Sequence, residues 1–380
     1  MKRKFVLSGI SPGRAGVGRV LEYMISNSNN VSFVYPPIAR TISIKESFYE
    51  FNFIKILISI FIIFKNYFKT FSYLSKLYFI KNKEIIILHP QTLGLKKMER
   101  LVGRNNVCIY VMDNNFFCIK SYNYLINTGK PCFLCLNAQY DNSQINSCSS
   151  FPVPYSYSEY FHFINFIKNN IHKISFLTQN AGQGELLKKQ YGNDLSFKEV
   201  GLLTSDLFED PKLWILSNTK KYDIVFHGDN TLAKGSKYIL ELAIHLPEYN
   251  FLFPFDLEFS EKPDNVDFIK MNWTTGLKSH MLDSKLTLCP SIWSAPIEGS
   301  VVKTLNLGIA LGIFEAEYSF GKEIPNESVL KLSGNVFDDV KLIREFISSE
   351  NYMIARINGK KYIEKKILNM ISSYNKIFNA

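Results

Sequence analysis

The segment FHGDNTLAKGSKYILELA at 226–243 puts Gly228 at the end of an apolar run, Lys234-Gly235 six residues on, and a helix-length stretch after that. A lysine at the start of a helix can neutralise a bound anion, because the helix terminus adds free N–H groups and the positive end of its dipole. The plainer reading is a surface lysine on an ordinary loop. A second segment, LCPSIWSAPIEGSVVKTLNLG at 288–308, leaves an apolar run through Pro290-Ser291 and an irregular loop. It reaches Gly299 and Ser300 at the expected N-terminus of a helix that carries Val301, Val302 and Leu305. Amides at such a terminus suit a diphosphate or a polar sugar. Glu298, just before them, reads either as a partner for hydroxyls or as a carboxylate stabilised by the helix dipole.

The N-terminal half has its own polar turns. GISPGRAGVG at 9–18 follows a short apolar run; its glycines, Gly16 among them, permit positive φ and close backbone approach, and Arg14 or Arg19 can meet an anion. The loop does not match the G-x-G-x-x-G of a dinucleotide fold. Two further apolar runs end in Leu88-His89-Pro90-Gln91 and Val111-Met112-Asp113-Asn114. A carboxylate such as Asp113 can orient or deprotonate a hydroxyl, while the plain role for either His89 or Asp113 is to hold a loop by hydrogen bonds. Cys118, Cys132, Cys135 and Cys148 cluster around a C-x2-C in a stretch with no apolar period. They read as a tetrahedral structural zinc site or as free buried thiols.

The elements that must position these residues follow from apolar runs. Strands are expected at 4–8, 84–88, 106–112 and 174–178, then at 222–227, 249–254, 266–271, 285–289 and 309–314, with helix-length segments between many of them. Such spacing implies parallel α/β sheets, whose ligands bind beyond the carboxyl ends of the strands. SDLFEDPK at 205–212 breaks both periodicities and reads as a domain junction. Ile363, Ile367, Met370, Ile371, Tyr374, Ile377 and Phe378 fall at helical spacing and give a final amphipathic helix. The domains are therefore expected at 1–205 and 206–360, with a closing helix over 361–380.

With 380 residues and 46% hydrophobic side chains the chain can bury large cores. The net charge of +10 suits anionic partners of several kinds, but nucleic acid is disfavoured by the lack of any long basic tract or DNA- or RNA-binding signature. MKRKFVLSGI lacks the apolar stretch of a signal peptide, so a cytoplasmic location is expected. The uncharged run ILISIFIIF at 56–64 is short of the ~20 residues of a spanning helix. It lies in an aromatic and basic region, 47–83, which reads as a peripheral contact with an anionic membrane or as the core face of long helices.

The segments around Lys234 and Glu298 together make the chain resemble glycosyltransferases of the GT-B fold, especially the family 4-like group (glycosyl transferases group 1). That group has G-R-x4-K-G at the start of the donor domain and P-S-x-x-E…E-A-x-x-x-G later. Gly228, Lys234, Gly235, Pro290, Ser291 and Gly308 match, whereas Asp229 replaces the arginine, and Ala295 and Lys303 stand where the two glutamates would lie. The resemblance implies two Rossmann-like doubly wound domains facing a central cleft, with a C-terminal helix crossing back. It implies a hexosyltransferase, retaining, that moves a sugar from a nucleotide-sugar donor to a glycan or lipid-linked acceptor in bacterial surface polysaccharide assembly (O-antigen, capsule or lipopolysaccharide). By that resemblance Gly16, Gly228, Lys234, Gly235, Glu298, Gly299, Ser300 and Lys303 face the donor, and Lys303 supplies a second cation or is a solvated helix lysine. Arg14, His89 and Asp113 face the acceptor, and no cofactor is required for catalysis. The alternative is a GT-B-shaped binding or scaffold protein without catalysis.

Overall fold

A computed structural model describes residues 4–13, 16–38, 53–125, 130–208, 222–257 and 262–379. Two six-stranded sheets organise the chain. The first takes β1 (Lys4–Ser8), β2 (Val31–Val34), β3 (Glu84–Leu88), β4 (Asn106–Tyr110), β7 (Ile174–Thr178) and β8 (Ser196–Glu199) in the order β2-β1-β3-β4-β7-β8. The second takes β9 (Ile224–Phe226), β10 (Phe251–Phe253), β11 (Val266–Phe268), β12 (Leu286–Leu288), β13 (Leu311–Phe314) and β14 (Leu330–Leu332) in the order β11-β10-β9-β12-β13-β14. Every pair in both sheets is parallel. A small antiparallel pair, β5 (Tyr124–Leu125) with β6 (Lys130–Pro131), sits in the cysteine-bearing loop.

Alternation along the strands explains why both faces are covered. Leu7, Ile85, Ile87, Val107 and Ile109 point into one apolar cluster, with helices 95–102, 157–169 and 181–191. Their neighbours Val6, Ile86, Leu88 and Tyr110 point into another, with α1 (Val17–Asn27) and the C-terminal helix. The same division recurs in the second sheet. Ile224 and Phe226 face α3 (Ser236–Ile244), and Val225 faces Trp273, Leu277 and Met281.

All nine expected strands are present, β1, β3 and β7 with the expected bounds and the other six shorter. β2, β8 and β14 were not foreseen. All three are edge strands, and in β8 every residue is at least partly exposed, so the apolar run that marks a central strand is missing. The final helix, here α5, runs from Asn351 to Phe378, longer than the apolar spacing marks, because its first turns bury little beyond Ala355 and Gly359. It buries Ile363, Ile367, Met370, Tyr374 and Phe378 in the same cluster as β1 and α1, and Lys4 Nζ donates to the Ile377 carbonyl at 2.6 Å. The C-terminal helix therefore crosses back to the first sheet.

The aromatic, basic region contains one 27-residue helix, α2 (Phe53–Phe79); residues 47–52 lie outside the described residues. Tyr73 and Leu77 pack into the core, while Phe61, Phe64, Tyr67, Phe68 and Phe71 are exposed, Phe68 to 76%. Among the described residues no helix is long and apolar enough to cross a membrane.

Among the described residues no three of His, Cys, Asp and Glu gather into a group able to hold a metal ion, and Cys118, Cys132, Cys135 and Cys148 are free. Ordinary hydrogen bonds order the loop. The Cys132 N–H donates to the Asn123 carbonyl and the Asn123 side chain donates back to the Cys132 carbonyl; Tyr157 donates to the Cys148 carbonyl.

Candidate active site

In a sheet ordered like the second one, the winding reverses between β9 and β12, and the loops leaving their carboxyl ends part to form a crevice. β9 delivers His227, Gly228 and Lys234 there, and β12 delivers Ser291 and Glu298. The first sheet has its reversal between β1 and β3, so His89, just past β3, and Asp113, just past β4, lie at the corresponding end.

Lys234 closes a single 3-10 turn, and Gly235 then turns into α3 with φ +77. The position demands glycine twice, since a Cβ there would also lie 2.4 Å from the Pro290 carbonyl oxygen. Lys234 Nζ donates to Glu298 Oε1 at 2.7 Å, and Ser291 Oγ donates to the same oxygen at 2.6 Å. Ser300 Oγ reaches Glu298 Oε2 at 3.4 Å. Burial works to lower the Lys234 pKa, but Glu298, Tyr122 and Asp229 outweigh it and hold the ammonium above its ordinary value. Gly299 and Ser300 open α4 (Gly299–Asn306), whose N-cap is Glu298; the Glu298 side chain turns to Lys234 rather than to the helix amides.

Lys303 belongs to a second group. It is 5% exposed, buried rather than solvated, and donates to Asp206 Oδ2 at 3.1 Å with its Nζ 4.5 Å from the Trp273 ring centre. Arg19 approaches the same Asp206 oxygen at 3.0 Å, and Thr204 donates to the other at 2.6 Å. Burial works to raise the Asp206 carboxyl, but Lys303, Thr204 and Arg19 outweigh it and hold it below the usual range. His227 lies parallel to Trp273 with ring centres 5.6 Å apart, and its Nδ1 is 3.2 Å from Thr304 Oγ1. Burial, then the charges of Lys303 and Arg19, push its pKa down to about 3, so it is a neutral imidazole.

Across the cleft, Asp113 accepts from Gln91 Nε2 at 3.2 Å to each oxygen and from the Asn115 amide at 2.9 Å. His89 Nε2 lies 3.5 Å from Asp113 Oδ2, and its Nδ1 lies 3.1 Å from Thr92 Oγ1. His89 and Asp113, both expected on the acceptor side, are neighbours. Gly16 is the N-cap of α1 with φ +48, and Gly228 is half-buried at the end of β9. Arg14 lies outside the described residues.

The two sides meet at Tyr122, which sequence reading did not single out. Its ring lies 4.5 Å from that of Trp293, and Lys234 Nζ is 5.7 Å from its centre. Burial raises its hydroxyl pKa; Lys234 lowers it, and Asp113, Glu298 and Asp229 raise it, so charges from both halves act on one group. Next to it the halves are sewn together. Asn114 donates to the Ser294 carbonyl at 2.9 Å, the Ser294 amide donates to Asn123 Oδ1 at 3.1 Å, and Asn123 donates to Ser294 Oγ at 3.1 Å. Asp206, His227 and Trp273 were likewise missed. Each acts through a partner far along the chain, and no local motif marks them.

No family model and no curated protein matches the chain. Solved structures do, over its whole length and at low identity. Sucrose-phosphate synthase from Thermosynechococcus elongatus matches with TM-score 0.62 and 10% identity, covering all of both chains. Anabaena Alr3699/HepE in complex with UDP-glucose matches at 0.55 and 11%, covering 99% of this chain and 100% of that one. WaaG, a glycosyltransferase involved in lipopolysaccharide biosynthesis, matches at 0.54 and 10%, covering 95% of each. The fold is GT-B, two parallel-sheet α/β domains about a cleft.

Proposed function

We propose that the chain is a family 4-like glycosyltransferase of the hexosyltransferase class. It would transfer a sugar from a nucleotide-sugar donor to a hydroxyl of a glycan or lipid-linked acceptor, in bacterial surface polysaccharide assembly. The observation that carries this reading is the meeting of Lys234 and Glu298 from one half with Asp113 from the other around Tyr122. Similar structures support it: one is in complex with UDP-glucose, and another is a glycosyltransferase involved in lipopolysaccharide biosynthesis.

In this scheme Lys234 and the amides of Gly299 and Ser300 neutralise the departing diphosphate, an effect strongest where charge develops in a buried site. Glu298 aims Lys234 and offers its outer oxygen to donor hydroxyls. Asp113, held at both oxygens by Gln91, orients the acceptor hydroxyl or takes its proton. Gly16 and Gly228 let backbone approach the donor, Arg14 and His89 serve the acceptor side, and no cofactor is used. Lys303 sits with Asp206 and steadies the cleft rather than meeting the diphosphate directly. Retention of configuration is part of the proposal. The exposed rings of α2, with Lys65, Lys69 and Lys76, would rest on the anionic cytoplasmic face of a membrane and bring the cleft to a lipid-linked acceptor.

A thermal-shift panel of UDP-, GDP-, ADP-, dTDP- and CMP-linked sugars tests the proposal, since a ligand that binds the folded state alone raises Tm. One donor should stabilise the chain and release nucleoside phosphate slowly without acceptor. Failure of every donor to bind would overturn the reading. Tight binding with no turnover toward any glycan acceptor would favour a binding protein, a reading supported by the carboxylates already seated on Lys234 and Lys303.

A further inference from the structure

Trp293 is 3% exposed, and its indole N–H has no hydrogen-bond partner among the described residues. A buried, unmatched donor costs free energy and calls for a partner. Its surroundings suit one kind of ligand. Trp293 carries Tyr122 at 4.5 Å and Lys234 Nζ 5.5 Å from its ring centre; Phe151 lies 5.3 Å from Tyr122 beyond. Aromatic faces beside polar hydrogen-bonding groups fit a pyranose, which shows apolar C–H on its faces and hydroxyl oxygens at its rim. The pair also straddles the molecule, because Tyr122 precedes β5 in the first half while Trp293 follows β12 in the second.

We infer that Trp293 and Tyr122 form the subsite for the transferred sugar ring, with the Trp293 N–H donating to one of its oxygens. This rests on the donor reading proposed above and adds the residues that would distinguish a nucleotide sugar from the bare nucleotide. Tyr122 packs against Trp293; separation of the two rings lets the sugar enter between them and leaves Lys234 beside the diphosphate.

Calorimetry with the best-binding nucleotide sugar of the panel, run beside its nucleoside phosphate, tests the assignment. Trp293→Phe keeps a ring and removes the donor, and should weaken nucleotide-sugar binding about 5-fold while nucleoside-phosphate affinity changes less than 2-fold. Tyr122→Leu removes the second ring face and should give the same selective loss. Tyr122 is half-buried, so its variant decides the question if Trp293→Phe does not fold. Equal losses for sugar and bare nucleotide, or no loss, would overturn the subsite and leave the donor reading standing. Failure of the parent chain to bind any nucleotide sugar would remove both.

Discussion

Glu298 takes hydrogen bonds from Lys234, Ser291 and Ser300, and two of the three converge on a single oxygen. Its charge is thus matched to one ammonium that is itself mostly buried. Removing one partner of such a pair strands the other, so Glu298→Gln should cost about 3 kcal/mol in denaturant unfolding. Lys234→Ala strands Glu298 in turn, so it should lose stability as well, and it should also change the kinetics. The Lys234 charge acts on the leaving group, so turnover should fall about 100-fold while donor affinity falls far less, read by initial rates beside calorimetry. Asp206 gives a pH signature. Its folded pKa is depressed, so the stability it supplies is complete above the ordinary value of 3.8 and is lost as pH falls below it through the folded value. Asp206→Asn should flatten that acid limb and lower Tm at pH 7, measured by thermal melts across pH. Lys234 and Glu298 were legible in the sequence because each sits in a run with a recognisable turn and helix start. Asp206 was not, since the lysine that gives it meaning lies 97 positions away.

At the scale of elements, α2 is the one whose sequence and surroundings disagree most. Aromatic and aliphatic residues circle much of it, yet Phe64 and Phe68 are 70% and 76% exposed, and among its described side chains the buried ones, Tyr73 and Leu77, lie in its last turns. A face this apolar, flanked by lysines, binds lipid through both terms at once. Changing Lys65, Lys69 and Lys76 to Glu should reduce co-sedimentation with anionic vesicles by at least about 3 kcal/mol, near 1 per charge, and less at high salt. Unchanged sedimentation would assign the face elsewhere. The sequence showed the apolar density of this helix but not which side was covered, because that depends on what the sheet leaves open. Central strands were readable for the opposite reason, being apolar on both sides. Edge strands such as β8 and β14 alternate with polar residues and dissolved into their loops.

For the molecule as a whole, the halves are set by close backbone approach as well as by side chains. A Cβ on Gly182, in the helix after β7, would lie 2.2 Å from the Tyr318 carbonyl oxygen in the second half. Gly182→Ala should therefore push the halves apart. Small-angle scattering should show a larger radius and melting should come earlier, with each half keeping its helical signal. The chain's return path has another consequence. Ser28 and Tyr374 share a hydrogen bond across 346 positions, and the rows Ile363 to Phe378 roof the sheet that β1 begins. A ribosome adding ~5–20 residues per second needs on the order of tens of seconds to deliver that roof after the strands beneath it have emerged. During that interval only α1 covers the face that carries Val6, Ile86 and Leu88 in the nascent first half, so its maturation is timed by the arrival of a helix encoded far downstream.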